Sequence, residues 1–165
     1  MKGNSSKNIK AAITAVGGFV PNDFISNQDL EKVLDTTDEW ITTRTGIKKR
    51  RILKGQGKGT SYLAIKAAED IITKRNIDPD TIDLVIVATI TPDYKGAATA
   101  PSVASAIKAN NAYAFDLSAA CSGFLYGMST ATSYIESGRY KKVLLIGADK
   151  MSSVVDSVSY THLRA

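Results

Sequence analysis

Two stretches, DLVIVAT at 83–89 and KKVLLIGA at 141–148, decide most of what this chain can become. Each is a short, nearly continuous apolar run bounded by turn-forming residues, the pattern of a strand covered on both faces. Such a strand belongs to a parallel sheet and needs crossover helices on either side. The neighbouring sequence supplies them. Residues 60–75 carry Leu63, Ala64, Ala67, Ala68, Ile71 and Ile72 at helical spacing. Residues 101–109 read as a helix, 113–117 as a short strand, and 122–136 as a helix ending near Gly138. From residue 83 the order is βαβαβ, which predicts an α/β fold with right-handed crossovers.

Nearer the start, IKAAITAV at 9–16 reads as a further strand, ended by Gly17-Gly18 and Pro21. Asn27 is placed to cap a short helix over 28–34, and Asp38 a second over 39–45 that stops at Gly46. No repeat at solenoid spacing and no low-complexity linker divides the sequence. With 165 residues, 44% of them hydrophobic and 22% charged, the expectation is one soluble core of ordinary size.

No apolar run approaches the roughly 20 residues a membrane-spanning helix needs. MKGNSSKNIK has no apolar stretch to serve as a secretory signal, so a cytoplasmic location without a membrane partner is expected. The net charge of +5 comes partly from Lys48-Lys49-Arg50-Arg51, Lys54 and Lys58, in a segment also holding Gly46, Gly55, Gly57 and Gly59. This reads as a basic surface loop, either simply solvated or attractive to phosphorylated cofactors and acidic proteins. No zinc finger, RNA-binding signature or aromatic series accompanies it, so nucleic acid is not an expected partner.

YAFDLSAACSGFLYG, 113–127, holds the only cysteine, Cys121. A single cysteine forms no internal disulfide and no thiolate zinc site, which leaves a small core residue or a reactive thiol. Cys121 falls where the 113–117 strand ends and the 122–136 helix begins, at the carboxyl edge where open α/β sheets place their ligands. Unpaired N–H groups and the positive helix end favour a thiolate there. The small neighbours Ala119, Ala120, Ser122 and Gly123 would let a substrate carbonyl reach the sulfur and a backbone N–H reach the oxyanion that forms. They would equally suit a tight junction in which the cysteine merely packs.

FDLSAACSGFLYG, with LDTTDEWITTRTGIKKRRI at 34–52 and ESGRYKKVLLIGADKMSS at 136–153, closely resembles the β-ketoacyl-acyl-carrier-protein synthase III enzymes of bacterial fatty-acid synthesis. The likeness runs from about Ile9 to about Asp156. It implies a thiolase-like fold in which residues 9–156 form the N-terminal half, with helices packed on a mixed, largely parallel sheet. It implies an initiating synthase that joins an acyl-coenzyme A primer to malonyl-acyl-carrier protein with loss of carbon dioxide, through a thioester on Cys121. Trp40 then matches the family's face for the adenine of coenzyme A, Arg44 a phosphate contact, and Thr36 a polar contact to the base. No permanently bound cofactor and no metal are implied, and the full-length parent is expected to be a homodimer.

Departures from the family pattern carry their own expectations. The family's decarboxylating histidine and asparagine lie in the second half, so this chain alone should not complete condensation. Gly96-Ala97 stand where many members have Phe-Pro near the acyl pocket, and Ser153 where some place an arginine against the adenine. The tail SVSYTHLRA, 157–165, does not continue the family sequence and resembles adaptor read-through; His162 within it is given no role. Three other readings stand beside this one: a related thiolase-superfamily acyltransferase with another primer or product, a non-catalytic truncated fragment with residual coenzyme A binding at most, and a redox thiol. The last lacks a resolving cysteine.

Overall fold

The computed structural model describes residues 9–154, so the 157–165 tail and His162 lie outside the described residues. In chain order the elements are β1 (Phe24–Ser26), α1 (Asn27–Glu31), α2 (Asp38–Thr45), β2 (Lys49–Arg51), α3 (Thr60–Arg75), β3 (Leu84–Ala88), α4 (Thr99–Ala106), β4 (Tyr113–Leu117), α5 (Gly123–Glu136) and β5 (Val143–Gly147). The two apolar runs become β3 and β5, and both pair in parallel as their burial pattern requires. The sheet order is β4-β3-β5, with Ile86 opposite Phe115 on one side and Leu145 on the other. All five residues of β3 are buried.

Alternation along β3 sends its side chains into two helical layers. Val85 and Val87 join Ala64 and Ala68 of α3 and Ala100, Val103 and Ala104 of α4 in the main core. The alanines keep these helices close to the sheet. On the opposite face α5 is held in by glycines: a Cβ on Gly127 would lie 2.5 Å from Leu145 Cδ1, and one on Gly123 would lie 3.4 Å from Ala88 Cβ.

Residues 9–16, expected as a strand, form none. β5 has its ladder with β3, and the 11–21 segment faces it across a cavity of about 970 Å³ that α3 and α5 also line. Ladder bonds need strands about 4.8 Å apart, and among the described residues β5 pairs with β3 alone. The segment is tied to α3 instead. A Cβ on Gly17 would meet Ile71 Cβ at 2.7 Å, and the Gly18 N–H donates to Asp70 Oδ2 at 2.9 Å. Antiparallel pairing occurs separately, where β1 and β2 align Phe24 with Arg51 and Ser26 with Lys49. A three-residue strand is too short to announce itself in a sequence, and β2 lies within the segment expected as a basic loop.

The first two helices also start one residue earlier than expected. Ser26, not Asn27, caps α1 through a capping box with Asp29, and Thr37, not Asp38, caps α2 by accepting from the Trp40 N–H at 3.1 Å. Gly46 ends α2 at φ 71° as the sequence suggests.

The bond from Lys74 and the Gly18 N–H hold the Asp70 carboxyl below the ordinary carboxylate range. A depressed folded-state value gives stability present above the unfolded value and lost as pH falls through the folded one. Hydrogen exchange at the Gly18 amide should therefore accelerate as the pH is lowered below about 4, beyond the intrinsic pH dependence of exchange. An Asp70→Asn protein should show no such step.

Candidate active site

The motif at 34–52 is organised by a residue outside it. Asn27 is fully buried, and its side-chain amide donates to Asp38 Oδ1 at 2.6 Å, Thr42 Oγ1 at 3.2 Å and the Ile47 carbonyl at 2.8 Å. Its carbonyl oxygen accepts from Arg50. One amide thus ties α1, α2 and β2 together, and Glu31 adds a bond from the Asp38 N–H at 2.5 Å. The apolar support is small: Leu30 and Ile41, with Ile25 and Leu34 against them. Polar bonding in a site shielded from water therefore sets the geometry.

Arg50 corrects the reading of a wholly exposed basic cluster. Alternation in β2 turns it inward, 5% exposed, while Lys49 and Arg51 stay outside over the Phe24 ring at 4.2 and 5.9 Å. Burial pushes the Arg50 guanidinium below its ordinary value.

On the outer face of α2 the structure brings Trp40 and Arg44 together. One helical turn apart, they stack with the guanidinium carbon 4.5 Å from the indole centroid, and Trp40 remains 37% exposed. A flat ring with a cation over it can take a nucleobase and a phosphate side by side. Thr36 lies just before the cap of this helix, and its Oγ1 is buried with no hydrogen-bond partner among the described residues. A shielded hydroxyl left unpaired is costly, so a ligand that reached it would be rewarded.

Cys121 is free and exposed. It sits in a 3-10 turn, Ala120–Ser122, between the end of β4 and the start of α5, one step ahead of the helix terminus predicted to carry it. The Ser122 N–H closes the turn on the Ala119 carbonyl at 3.1 Å, and α5 begins with no side-chain cap. Cys121, Thr36, Trp40 and Arg44 do not line the cavity beside β5.

Two aspartates that the sequence reading missed hold the surroundings of this junction. Asp116 of β4 accepts from the Thr99 and Ala100 N–H groups, both at 2.7 Å, and so caps α4 from another element. Asp149, just beyond β5, gathers the Thr89 and Thr91 hydroxyls, each at 2.9 Å, and the Ile90 and Thr91 N–H groups at 2.9 and 3.2 Å on one carboxylate oxygen. The 91–100 segment turns at Gly96, φ 89°, with Tyr94 and Ala97 bridged. No group of three or more His, Cys, Asp or Glu among the described residues is placed to hold a metal, and none of the described helices is long and apolar enough to cross a membrane.

Solved structures identify the class. The chain superposes on 3-oxoacyl-[acyl-carrier-protein] synthase III of Aquifex aeolicus with TM-score 0.86 and 46% identity, over 93% of this chain and 48% of that one. It superposes on the priming β-ketosynthase of the R1128 polyketide biosynthetic pathway with TM-score 0.88 and 32% identity, over 97% of this chain and 48% of that one. The fold is the thiolase-like α/β fold. A family model described as 3-oxoacyl-[acyl-carrier-protein] synthase III matches residues 115–162, which include Cys121. The β-ketoacyl-[acyl-carrier-protein] synthase III of Chlorobaculum tepidum is 57% identical over 148 residues, 90% of this chain and 45% of that protein. The chain belongs to this synthase III family and corresponds to its N-terminal half. It spans a little under half the length of the relatives it matches.

Replacing Asn27 by Ala removes from a buried site the one amide that Asp38, Thr42, the Ile47 carbonyl and Arg50 share. Urea denaturation should show a loss of about 2–3 kcal/mol. A loss within about 0.5 kcal/mol, the range of an ordinary surface change, would mean the network is not what holds α1, α2 and β2 together.

Proposed function

We propose that this chain is the acyl-accepting half of an initiating condensing enzyme of fatty-acid synthesis. The observation that carries the reading is an exposed Cys121 in the turn between β4 and α5, among side chains too small to obstruct a thioester. The Cys121 thiolate attacks the thioester carbonyl of an acyl-coenzyme A. The bond from carbonyl carbon to sulfur forms, the bond to coenzyme A breaks, and the released thiolate takes up a proton. Backbone N–H groups at the start of α5 favour the negative charge that builds on the carbonyl oxygen. Trp40 and Arg44 hold the nucleotide end of the donor, with Thr36 against the base.

In the whole enzyme the thioester is consumed by the carbanion formed when malonyl-acyl-carrier protein loses carbon dioxide. The α5 surface supports a larger whole. Phe124, Leu125 and Tyr126 are 47%, 66% and 59% exposed on a helix that buries only Gly123 and Gly127, an apolar face suited to the rest of a synthase or to a homodimer partner. A second reading, a related priming synthase with another primer or product, draws on the likeness to the R1128 enzyme and on Gly96-Ala97 in the 91–100 segment.

Incubation with labelled acetyl-coenzyme A should leave one acyl group on the peptide containing Cys121. Equal labelling of a Cys121→Ser protein would refute the assignment.

Arg44→Ala should raise the acyl-coenzyme A concentration needed for half-maximal labelling by about tenfold, the loss expected for a charged hydrogen bond. A minimal acyl thioester without the nucleotide should be used equally well by both proteins. Equal losses with both donors would assign Arg44 to folding.

A further inference from the structure

The described residues include three non-glycine positions in the left-handed backbone region: Asn76, Lys108 and Ala120. Asn76 is the C-cap of α3, and Lys108 follows the last turn of α4, both customary uses of that conformation. Ala120 ends no helix. It lies directly before Cys121, at φ 46°. Its Cβ there crowds the following carbonyl, which is why such positions usually fall to glycine.

Both sides of the junction are pinned. On the strand side the Thr89 N–H donates to the Leu117 carbonyl at 3.1 Å. On the helix side Gly123 lies against Ala88, where an added Cβ would come within 3.4 Å of the Ala88 Cβ and 3.9 Å of the Leu117 carbonyl oxygen. Only residues 118–122 remain to turn the chain from strand into helix. They do so through the Ser122 N–H bond to the Ala119 carbonyl and a Gly123 N–H bond to the Ala120 carbonyl. Within that turn the Cα–Cβ direction of Cys121 follows from the backbone angles of residues 119–121. Glycine at 120 would relieve the crowding but open both halves of φ space to the turn. Alanine, once forced into the left-handed well, has few neighbouring wells to visit.

We propose that Ala120 is a positioning residue, whose left-handed backbone fixes the direction in which the Cys121 thiol leaves the β4–α5 junction. The inference rests on the reading of Cys121 as the acyl acceptor and adds the residue that aims it.

Because Cys121 is the only cysteine, methyl methanethiosulfonate carrying a ¹³C methyl group places a single probe on its sulfur. Spectra would be recorded for the whole chain with Ala120, Ala120→Gly and Ala120→Ser. The Ala120 and Ala120→Ser proteins should each give one narrow methyl resonance. Ala120→Gly should give several, or one moved toward the position seen in urea, while its unfolding midpoint stays the same or rises as the crowding is released. Acyl transfer from acetyl-coenzyme A should slow about tenfold in Ala120→Gly and recover in Ala120→Ser, the cost of a displaced nucleophile. Alkylation by iodoacetamide, which approaches from any direction, should change little. The same methyl spectrum in all three proteins would overturn the proposal, as would a Ser variant that behaves like Gly. If the unaltered chain accepts no acyl group, the nucleophile assignment falls, and the methyl spectra still decide whether Ala120 positions the thiol.

Discussion

β3 has a parallel neighbour on each edge and helices over each face, so its backbone polar groups and its side chains are withdrawn from water together. That double burial dictates the rest of the chain. It demands the crossover helices α4 and α5, and it sends the carboxyl ends of β3, β4 and β5 to the same edge. The edge is then stitched. The Thr89 N–H bonds to the end of β4, the Ala148 N–H bonds to the Ala88 carbonyl at 3.1 Å, and Asp149 binds the Thr89–Thr91 segment. Cys121 emerges from a rim whose three strands fix one another, so an error in β3 would reach it through every neighbour.

The frame of α1, α2 and β2 obeys a different physics. Few apolar residues support α1, α2 and β2, and a buried asparagine and arginine do what a larger core does elsewhere. Such a network tolerates little change, because one amide bonds Asp38, Thr42, the Ile47 carbonyl and Arg50 at once, away from water. Its effect is to present Trp40 and Arg44 on a rigid helix rather than on a loop. Of the basic cluster, Arg50 therefore serves the frame, while Lys49 and Arg51 cover Phe24 and remain at the surface.

Elements long enough to repeat a period were legible in the sequence. The helix expected at 60–75 is α3 with those same bounds, and β3, β4, α5 and β5 lie within two residues of expectation. The strand expected at 9–16 failed because apolar composition announces a strand but not the neighbour it must pair with. The caps were displaced because Ser26 and Asn27 are both good capping residues, and only the structure shows Asn27 turned inward. At the site, Cys121, Trp40, Arg44 and Thr36 were named from motifs, and the stacking of Trp40 with Arg44 follows from their spacing of four. Asn27, Asp116 and Asp149 were not readable, since each acts on residues 11 to 60 positions away along the chain. No local pattern records a bond of that range, and none records the positive φ of Ala120.

In the proposed synthase the α2 surface and the Cys121 turn serve one bound donor. The most direct measurement uses acetyl-coenzyme A with a photoreactive azide on the adenine and a labelled acetyl group, followed by peptide mapping of the irradiated protein. Acetyl is expected on the peptide containing Cys121 and adenine cross-linked within Asp38–Thr45, with both signals lost together when free coenzyme A competes. Cross-linking confined to the 48–54 basic segment, or acetylation of Cys121 undiminished in a Trp40→Ala, Arg44→Ala protein, would show that the two surfaces do not belong to one site.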